Sequence, residues 1–367
     1  MSNLSRAQVE SAIREYIDPW LERDLLSAKC IKDIRTDDGK VHVEVVLGFP
    51  AAGYEERLAG ELRRHIMAVE GVDEVTITTG TRIIRHAVQK GVKPLKEVKN
   101  VIAVASGKGG VGKSTTAVNL ALALQAEGAS AGVMDADIYG PSLPRMLGIK
   151  EKPESKDGKS MEPVIAHGLQ SMSIGYLVDE ETPMIWRGPM VTQALLQLIN
   201  DTNWRGLDYL VVDLPPGTGD VQLTLAQKIP VSGAVIVTTP QDIALLDARK
   251  GLKMFEKVGV PVLGIVENMA THICSKCGHE EPIFGEGGGE RMAEQYGVTL
   301  LGSLPLDISI REQADSGHPT VLADPEGRLA AIYRDIARRM AAQLSLRPRD
   351  FSHKFPGIVV EKQTGDR

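Results

Sequence analysis

From Val101 onward, short apolar segments alternate with segments of helical periodicity, and this alternation restricts the fold more than any other feature. The apolar segments are rich in β-branched residues and nearly continuous, which is typical of strands buried on both faces of a sheet. They read VIAVAS, SAGVMDAD, LDYLVVDLP, GAVIVTTP and PVLGIVEN. The pattern predicts an α/β domain over residues 101–345, with a doubly wound, mostly parallel sheet and its functional groups at the carboxyl ends of the strands.

Residues 1–80 have a different pattern, which predicts a small α+β domain of order αββαβ. The first helix is predicted from four apolar residues spaced for one face: Val9, Ile13, Tyr16 and Ile17. The segments CIKDIRT and KVHVEVVLGF alternate as strands do and meet at Asp38-Gly39, a favourable hairpin turn. A second helix and a third strand, VDEVTIT, complete the unit.

Two further segments connect and end these domains. Residues 81–100 carry six lysines and arginines and one histidine against one glutamate, which is typical of a solvated linker, with a basic docking strip as the alternative. The last helix is predicted over 326–344. Residues 346–367 are predicted to form a loosely attached tail.

The segment GKGGVGKST follows the strand VIAVAS and precedes the helical segment TTAVNLALALQAEG, which Gly128 is expected to end. It matches the phosphate-binding pattern G-x-x-x-x-G-K-[ST] in the strand–loop–helix context that the pattern needs. Lys113 is expected to span the β- and γ-phosphates of ATP, and the Ser114 hydroxyl to ligate Mg²⁺. The predicted nucleotide contacts are Gly107, Lys108, Gly109, Gly110, Val111, Gly112, Lys113, Ser114 and Thr115.

Acidic residues follow two other predicted strands. MDADIYGPS places Asp135 and Asp137 where carboxylates can orient Mg²⁺ or the attacking water, and we predict Asp137 as catalytic. Asp213 ends a strongly apolar strand, as a Walker-B-type carboxylate does. The Pro-Pro-Gly-Thr-Gly segment after it can sense the γ-phosphate through backbone contacts. Three aspartates around one phosphate loop predict a nucleotide site.

Composition excludes some classes of function. The chain of 367 residues has 42 lysines and arginines against 48 aspartates and glutamates, a formal charge of −6, which argues against a general nucleic-acid partner. The sequence shows no secretory signal and no apolar run of membrane-spanning length, so no membrane partner is expected. Three cysteines do not make a disulfide framework, and a reducing, cytoplasmic setting is expected.

The phosphate loop carries a second lysine, Lys108, and GKGGVGKST with both lysines resembles the deviant Walker A motif. The chain thus resembles the MinD/ParA/nitrogenase-iron-protein class of P-loop ATPases. In that class the first lysine reaches the partner subunit's nucleotide. The resemblance therefore implies a homodimer with two facing ATP molecules, in which Lys108 acts catalytically in trans.

The pair Cys274 and Cys277 forms C-x-x-C in the segment ENMATHICSKCGHEE. Two thiolates supply half of a tetrahedral site, for zinc or for an iron–sulfur cluster. Cys30 has no neighbour of metal-binding type and is expected to be a buried small apolar residue. One chain cannot provide four thiolates, whereas a two-fold dimer can.

The cysteine segment, with WRGPM at 186–190, DLPPGTGD at 213–220 and LPLD at 304–307, is similar to the Mrp/ApbC family of iron–sulfur cluster carrier ATPases. The resemblance implies a [4Fe–4S] cluster that Cys274 and Cys277 of two subunits share. It implies transfer of that cluster from cluster donors to apo iron–sulfur proteins under the control of ATP binding and hydrolysis. It also places Asn268 against the adenine base.

Residues 1–80 resemble the small iron–sulfur assembly domain that precedes the ATPase in many members of this family, with Asp18-Pro19 at the matching place. One departure stands out. The segment GFPAAGYEER lacks the cysteine that this domain often has after its second strand, so a protein-contact role is expected rather than a thiol role.

Three other functions remain open from the sequence. The first is a zinc-bridged dimeric scaffold driven by ATP. The second is a positioning ATPase of the MinD or ParA type; its membrane version would use RLAAIYRDIARRMAAQL as an amphipathic helix, although packing of that helix on the core is favoured. The third is a reductase like the nitrogenase iron protein, in which the two cysteines of each subunit come from separate loops.

Overall fold

The computed structural model describes residues 4–178, 188–274 and 276–350. The elements of the N-terminal domain are α1 (Arg6–Glu15), β1 (Ile17–Asp18), β2 (Arg23–Asp24), β3 (Ile31–Asp37), β4 (Lys40–Leu47), α2 (Glu55–Met67) and β5 (Glu74–Thr81). The predicted αββαβ order is therefore present, with two short strands added after α1. Strands β3 and β4 are antiparallel, and β5 lies parallel to β4. Asp38 and Gly39 join β3 to β4 with φ values of 40° and 78°, so the predicted hairpin turn is confirmed.

The first helix starts at a Ser5 capping box with Gln8 and ends earlier than predicted. Tyr16 is already extended, and Ile17 lies in β1 with 57% of its surface exposed, so the assignment of Ile17 to the apolar helix face is wrong. Pro19 favours this early end, because it disfavours helical backbone at Asp18.

The larger domain contains the predicted alternation of strands and helices. Its strands are β6 (Val98–Ala105), β7 (Ala131–Asp135), β8 (Val164–Ala166), β9 (Leu169–Ser173), β10 (Leu207–Asp213), β11 (Gly233–Thr238), β12 (Val262–Glu267), β13 (His272–Ile273), β14 (Glu280–Glu281) and β15 (Leu300–Ser303). Its helices are α3 (Lys113–Ala126), α4 (Leu143–Met146), α5 (Gly188–Asp201), α6 (Asp220–Lys228), α7 (Asp242–Lys257), α8 (Gly288–Tyr296), α9 (Ile308–Asp315), α10 (Thr320–Ala323) and α11 (Arg328–Ser345), with one 3₁₀ turn, Ile174–Tyr176.

Eight strands form one sheet in the order β15-β12-β11-β6-β10-β7-β9-β8. All neighbouring pairs are parallel except β8 and β9, which confirms the doubly wound, mostly parallel prediction. Asp213 at the end of β10 pairs in register with Asp135 at the end of β7. The register therefore brings two of the predicted acidic residues together at one edge of the sheet.

Helix α3 connects the phosphate loop to the interior. Its residues from Thr116 to Leu124 are all buried, and Gly128, with φ of 94°, follows its last turn as predicted. Helix α11 packs on α3 and β15 and buries its apolar stripe, including Tyr333, Ile336 and Met340. The expectation that this helix packs on the core is thus confirmed. Within the described residues, no helix is both long and apolar enough to span a lipid bilayer.

The basic segment between the domains is packed more closely than a solvated linker. Its lysines are exposed as predicted, but His86 and Gln89 are buried. The His86 N–H and Nδ1 lie 3.1 and 3.0 Å from the Asn100 Oδ1 atom. Gln89 Nε2 donates to the carbonyls of Ala226 and Ile229 at 2.6 and 2.8 Å. Its side-chain amide thus satisfies two backbone carbonyls of the larger domain.

The first residues of the predicted tail form hydrogen bonds with the basic segment between the domains. The Ala87 N–H donates to the Pro348 carbonyl, and the Asp350 N–H donates to the Arg85 carbonyl, each at 3.1 Å. Residues 348–350 are therefore attached, which corrects the expectation of a loose tail for that stretch; residues 351–367 lie outside the described residues. Trp186 and Arg187 of the WRGPM motif also lie outside them.

A buried carboxylate joins the two domains at the far end of α3. The Glu127 side chain accepts from Arg334 Nε at 2.6 Å, from Arg338 Nη2 at 2.7 Å and from the Gly53 N–H at 3.1 Å. Burial by itself would raise the pKa of Glu127, but the hydrogen bonds from Arg338 and Arg334 outweigh it and hold the pKa below its ordinary value. The N-terminal domain is thus fixed to the same helix that begins at the phosphate loop.

Candidate functional site

The phosphate loop lies between β6 and α3 at the carboxyl edge of the sheet. Gly110 and Gly112 have φ values of 80° and 81°, a backbone conformation that favours glycine. A Cβ atom at Gly107 would lie 2.2 Å from the carbonyl carbon of Asp247, so no larger residue fits there. A cavity of about 260 Å³ opens above the loop and is lined by Ser106, Gly109, Gly110, Gly112, Lys113, Ser114, Thr115, Asp137, Gly140, Ser142, Met146 and Pro216.

Lys113 lies in the centre of the predicted acidic group. Its Nζ atom is 2.5 Å from Asp213 Oδ1, 3.9 Å from Asp137 Oδ2 and 3.3 Å from the Ser114 hydroxyl. Only 6% of the lysine is exposed. The structure therefore brings together four residues that the sequence placed on three different elements.

Asp135 has a different position from the other two carboxylates. One of its oxygens accepts from the Asp137 N–H at 2.9 Å, and the other accepts from the Ser142 and Leu143 N–H groups at 2.9 and 3.2 Å. These bonds hold the loop 136–143 that carries Asp137. We therefore expect Asp135 to position Asp137 rather than to contact a phosphate.

The raised pKa values of these three carboxyls indicate that the buried site holds excess negative charge. Burial and the neighbouring Asp213 raise the pKa of Asp135 to about 7. Burial also raises the pKa of Asp137 and of Asp213, although Lys113 opposes the shift in both. With one ammonium among three carboxylates, the site favours an additional cation.

The donor atoms here fit Mg²⁺, which prefers carboxylate and hydroxyl oxygens and usually keeps several water ligands. In the described ranges, no three histidine, cysteine or carboxylate side chains form a complete metal-ligand group. A cation would therefore use the Ser114 hydroxyl, one or two carboxylates and the phosphate oxygens of the nucleotide, as predicted for Ser114.

A second, largely apolar cavity of about 420 Å³ adjoins the first and shares Gly110, Gly112, Thr115 and Met146 with it. Its other walls include Asn268, Met269, Pro305, Leu306, Asp307 and Ile310. An apolar cavity next to a phosphate loop is suited to the base of a nucleotide. Met146, Met269 and Ile310 were not predicted; the earlier signs of this wall were Asn268 and the LPLD motif.

Asn268 lines this base cavity but already has partners inside the protein. Its Nδ2 donates to the Val111 carbonyl at 2.9 Å, and its Oδ1 accepts from the Met269 N–H at 3.0 Å. The amide thereby ties the end of β12 to the phosphate loop. A Cβ atom at Gly112 would lie 2.1 Å from Asn268 Nδ2, so the glycine is needed for this close approach.

Lys108 is partly exposed and does not line the phosphate cavity. Its carbonyl accepts from the Ser106 hydroxyl at 2.9 Å, which fixes its backbone. Its side chain forms no ion pair within residues 4–178, 188–274 and 276–350. The ammonium is therefore available to a group outside its own phosphate cavity.

Cys274 and Cys277 lie on a short hairpin formed by β13 and β14. The Cys274 N–H donates to the His279 carbonyl, and the Gly278 N–H donates to the Cys274 carbonyl, both at 2.8 Å. Hydrogen bonds from the N–H groups of Cys277 and Lys276 lower the pKa of the Cys274 thiol. Cys277 is exposed and Cys274 partly exposed; Ser275 lies outside the described residues.

The third cysteine has a different environment. Cys30 is buried in the N-terminal domain, and burial raises the pKa of its thiol to about 11. Its thiol faces the Ala28 carbonyl at 3.7 Å. The prediction that Cys30 is a buried small apolar residue is confirmed.

Comparisons with known proteins show which family this chain is similar to. A family model described as NUBPL iron-transfer P-loop NTPase matches residues 97–341, and one described as iron–sulfur cluster assembly protein matches residues 6–78. The iron–sulfur cluster carrier protein of Escherichia coli (strain K12) is 53% identical over 340 residues, which cover 92% of each chain. The iron–sulfur cluster transfer protein NUBPL of Mus musculus is 50% identical over 270 residues, 73% of this chain and 84% of that protein.

A solved structure is also similar. The nucleotide-binding protein from Archaeoglobus fulgidus, in complex with ADP, is 37% identical and superposes with a TM-score of 0.54. The match covers 60% of this chain and 87% of that chain. It supports the P-loop fold described above.

Proposed function

This chain belongs to the family of iron–sulfur cluster carrier P-loop NTPases, and from that premise we propose that it binds and hydrolyses ATP while carrying a [4Fe–4S] cluster as cargo. The cluster is held between two copies of the chain and passed to apo iron–sulfur proteins. The proposal places the protein in a reducing, cytoplasmic compartment, because close cysteine pairs stay reduced there.

The observation that carries the proposal is a solvent-accessible pair of thiols with no further metal-binding side chain beside it in the described residues. Cys274 and Cys277 can supply two thiolates, and no third metal-binding side chain joins them within the described parts of the chain. A four-iron cluster is held by four cysteine thiolates. A two-fold axis beside the hairpin completes the set from two copies.

The surface near this edge of the sheet supports pairing of two copies. Large apolar side chains are exposed in segments that follow strand ends or the cysteine hairpin: Tyr139, Ile243, Leu246 and Ile283. Ile243 is 71% exposed, although such residues are usually buried. Covering them with a second copy would also bring the Lys108 ammonium towards the partner's phosphate cavity, as the trans role requires.

In this proposal each residue of the nucleotide site has a role in phosphoryl transfer. Lys113 leaves its pairing with Asp213 to bind the β- and γ-phosphates, and Ser114 with the carboxylates holds Mg²⁺. When bound, Mg²⁺ neutralises the phosphate charge. Asp137 orients the attacking water, and Lys108 from the partner stabilises the negative charge that develops in the transition state.

A physical link between the two sites supports nucleotide control of the cargo. Asn268 and Met269 line the base cavity, and the chain then pairs with the LPLD segment through Ala270 N–H to Leu304 and Leu306 N–H to Thr271, at 2.9 and 2.7 Å. Cys274 follows three residues later. A nucleotide that moves this wall would also move the hairpin.

Anaerobic reconstitution with iron and sulfide tests the proposal. We expect about four irons and four sulfides per dimer, with visible absorbance and a dimeric mass in the same sample. A strictly monomeric protein that carries a full cluster and hydrolyses ATP would overturn the proposal. Bound zinc without visible absorbance would instead favour the zinc-bridged scaffold, since the thiolate pair fits either metal.

A further inference from the structure

A third cavity lies away from the nucleotide site. It is formed where the N-terminal domain meets the end of α11 and the basic segment between the domains, residues 82–97, here called the connector. Its volume is about 340 Å³. Cys30 and Lys29 come from the N-terminal domain, Arg82 from the start of the connector, and Ser345 and Arg349 from the end of α11 and the stretch after it. Three parts of the chain that are distant in sequence therefore build one concave surface.

The charge of this cavity is opposite to that of the whole protein. The chain carries a formal charge of −6, yet every charged residue that lines the cavity is basic: Lys29, Lys32, Arg82 and Arg349. Lys32 is paired with Glu44 at 2.8 Å. For Lys29, Arg82 and Arg349, the described part of the chain supplies no ion-pair partner and no side-chain hydrogen bond.

Backbone hydrogen bonds fix the main chain at two of these residues, Lys29 and Arg82. Lys29 has φ of 59°, a left-handed conformation that is costly for a residue with a side chain, and turn bonds from Lys29 N–H to Leu26 and Cys30 N–H to Leu25 maintain it. The Arg82 N–H donates to the Leu47 carbonyl at 2.8 Å.

We propose that this cavity binds a small multivalent anion whose phosphate or carboxylate groups contact Arg82, Arg349 and Lys29. Two guanidinium groups can each form paired hydrogen bonds with such groups, and the ammonium adds a third charge. The volume is at the lower end of the range for small-molecule sites, which suits a metabolite rather than a polymer. Bound there, the anion links the N-terminal domain to the end of the ATPase domain.

Calorimetric titration of the full chain tests this site. Because the phosphate loop also binds phosphate, the protein is first saturated with Mg²⁺ and ADP, and ionic strength is kept constant. Inorganic phosphate and succinate are titrated separately, with chloride as the reference. We expect saturable binding of at least one of them; tighter binding of phosphate identifies a phosphate ligand, and tighter binding of succinate a carboxylate ligand.

Variants locate the binding. Arg82→Ala and Arg349→Ala should each weaken anion binding about tenfold, because each removes a charged hydrogen-bonding group. Arg347→Ala and Lys90→Ala are matched controls, since both residues are exposed and neither lines the cavity. Arg349→Lys keeps the charge, so its affinity for the anion should lie between those of wild type and Arg349→Ala. It also provides a test if an alanine variant does not fold.

The outcomes separate this inference from the nucleotide site. The affinity for ADP should be the same in wild type and in all five variants. No saturable binding of either anion, or equal weakening in the controls and the cavity variants, would overturn the inference while leaving the proposed ATPase and carrier function intact.

Discussion

In the nucleotide site, the cation and the carboxylates are enclosed, and one chain supplies nearly all of them. Lys113 is 6% exposed, and Asp213 is 3% exposed. In the cysteine hairpin, Cys277 is exposed, the two strands are two residues each, and only two metal ligands are present in the described region. The two sites are linked along the chain through Asn268, yet they differ in burial and in completeness.

This difference follows from what each site must do. A buried site with a low dielectric constant strengthens the attraction between Lys113 and phosphate and excludes water from the reaction. A site that releases its cargo needs ligands that a recipient protein can reach, and low local stability helps it to open. Enclosure and exposure therefore match the proposed ATP hydrolysis and the proposed cluster transfer respectively.

The largest expected effect is that of Lys113→Ala on the enclosed site. The change removes the phosphate-binding charge and leaves Asp213 buried without its 2.5 Å partner. We expect ATP turnover to fall by about three orders of magnitude or more, with loss of nucleotide-dependent cluster transfer. Steady-state phosphate release measures the first and activation of an apo-protein the second; turnover within tenfold of wild type would contradict the assigned role.

On the exposed site, Cys274→Ala and Cys277→Ala should each abolish stable cluster retention. ADP affinity and the thermal midpoint should stay near wild type, because neither cysteine is buried. Iron and sulfide analysis after reconstitution is the measurement. Cys30→Ala is the control: it should retain the cluster and instead lower stability slightly, since Cys30 is buried. Unchanged iron and sulfide content in both hairpin variants would break the comparison.

In the proposed dimer Lys108 of one copy acts at the nucleotide of the other, and its removal should have a smaller effect. Lys108→Ala should lower kcat on the order of 100-fold while leaving ATP affinity nearly unchanged. Mixing it with Lys113→Ala subunits should partly restore turnover, because such a dimer keeps one intact phosphate loop facing one Lys108. Absence of any recovery in a verified mixed dimer argues against the trans role.

The sequence predicted the enclosed site better than its surroundings. The loop motif and the strand ends placed Lys113, Ser114 and Asp213 correctly near one another, because each depends on a local pattern and on the parallel order of strands. Asn268, which the resemblance placed against the adenine base, does line the base cavity. Met146, Met269 and Ile310 were missed because they come from three separate segments that only tertiary packing brings together.

Other misses had the same cause. The burial of Gln89 depends on carbonyls that lie 137 and 140 residues further along the chain, which no local pattern reports. Asp135 holds the loop 136–143 by accepting hydrogen bonds from backbone N–H groups. The sequence does not reveal in which direction those N–H groups point. The αββαβ order, by contrast, rests on local periodicity, and it was predicted correctly apart from the early end of the first helix at Glu15.

The smallest expected effect concerns pH and the enclosed carboxylates in the nucleotide-free protein. The pKa of Asp135 is raised to about 7 from an unfolded value of about 3.9, so its contribution to stability is present below pH 4 and is lost as pH rises through 7. Between pH 6 and pH 8 the free energy of unfolding should therefore fall by at most about 1 kcal/mol more than in Asp213→Asn, where the charge that helps raise this pKa is removed and burial alone still raises it. Urea denaturation of both proteins at the two pH values measures the difference. Equal pH dependence in the two proteins would mean that the charge of Asp213 does not control the protonation of Asp135, and the excess negative charge would then be no reason for this site to favour Mg²⁺.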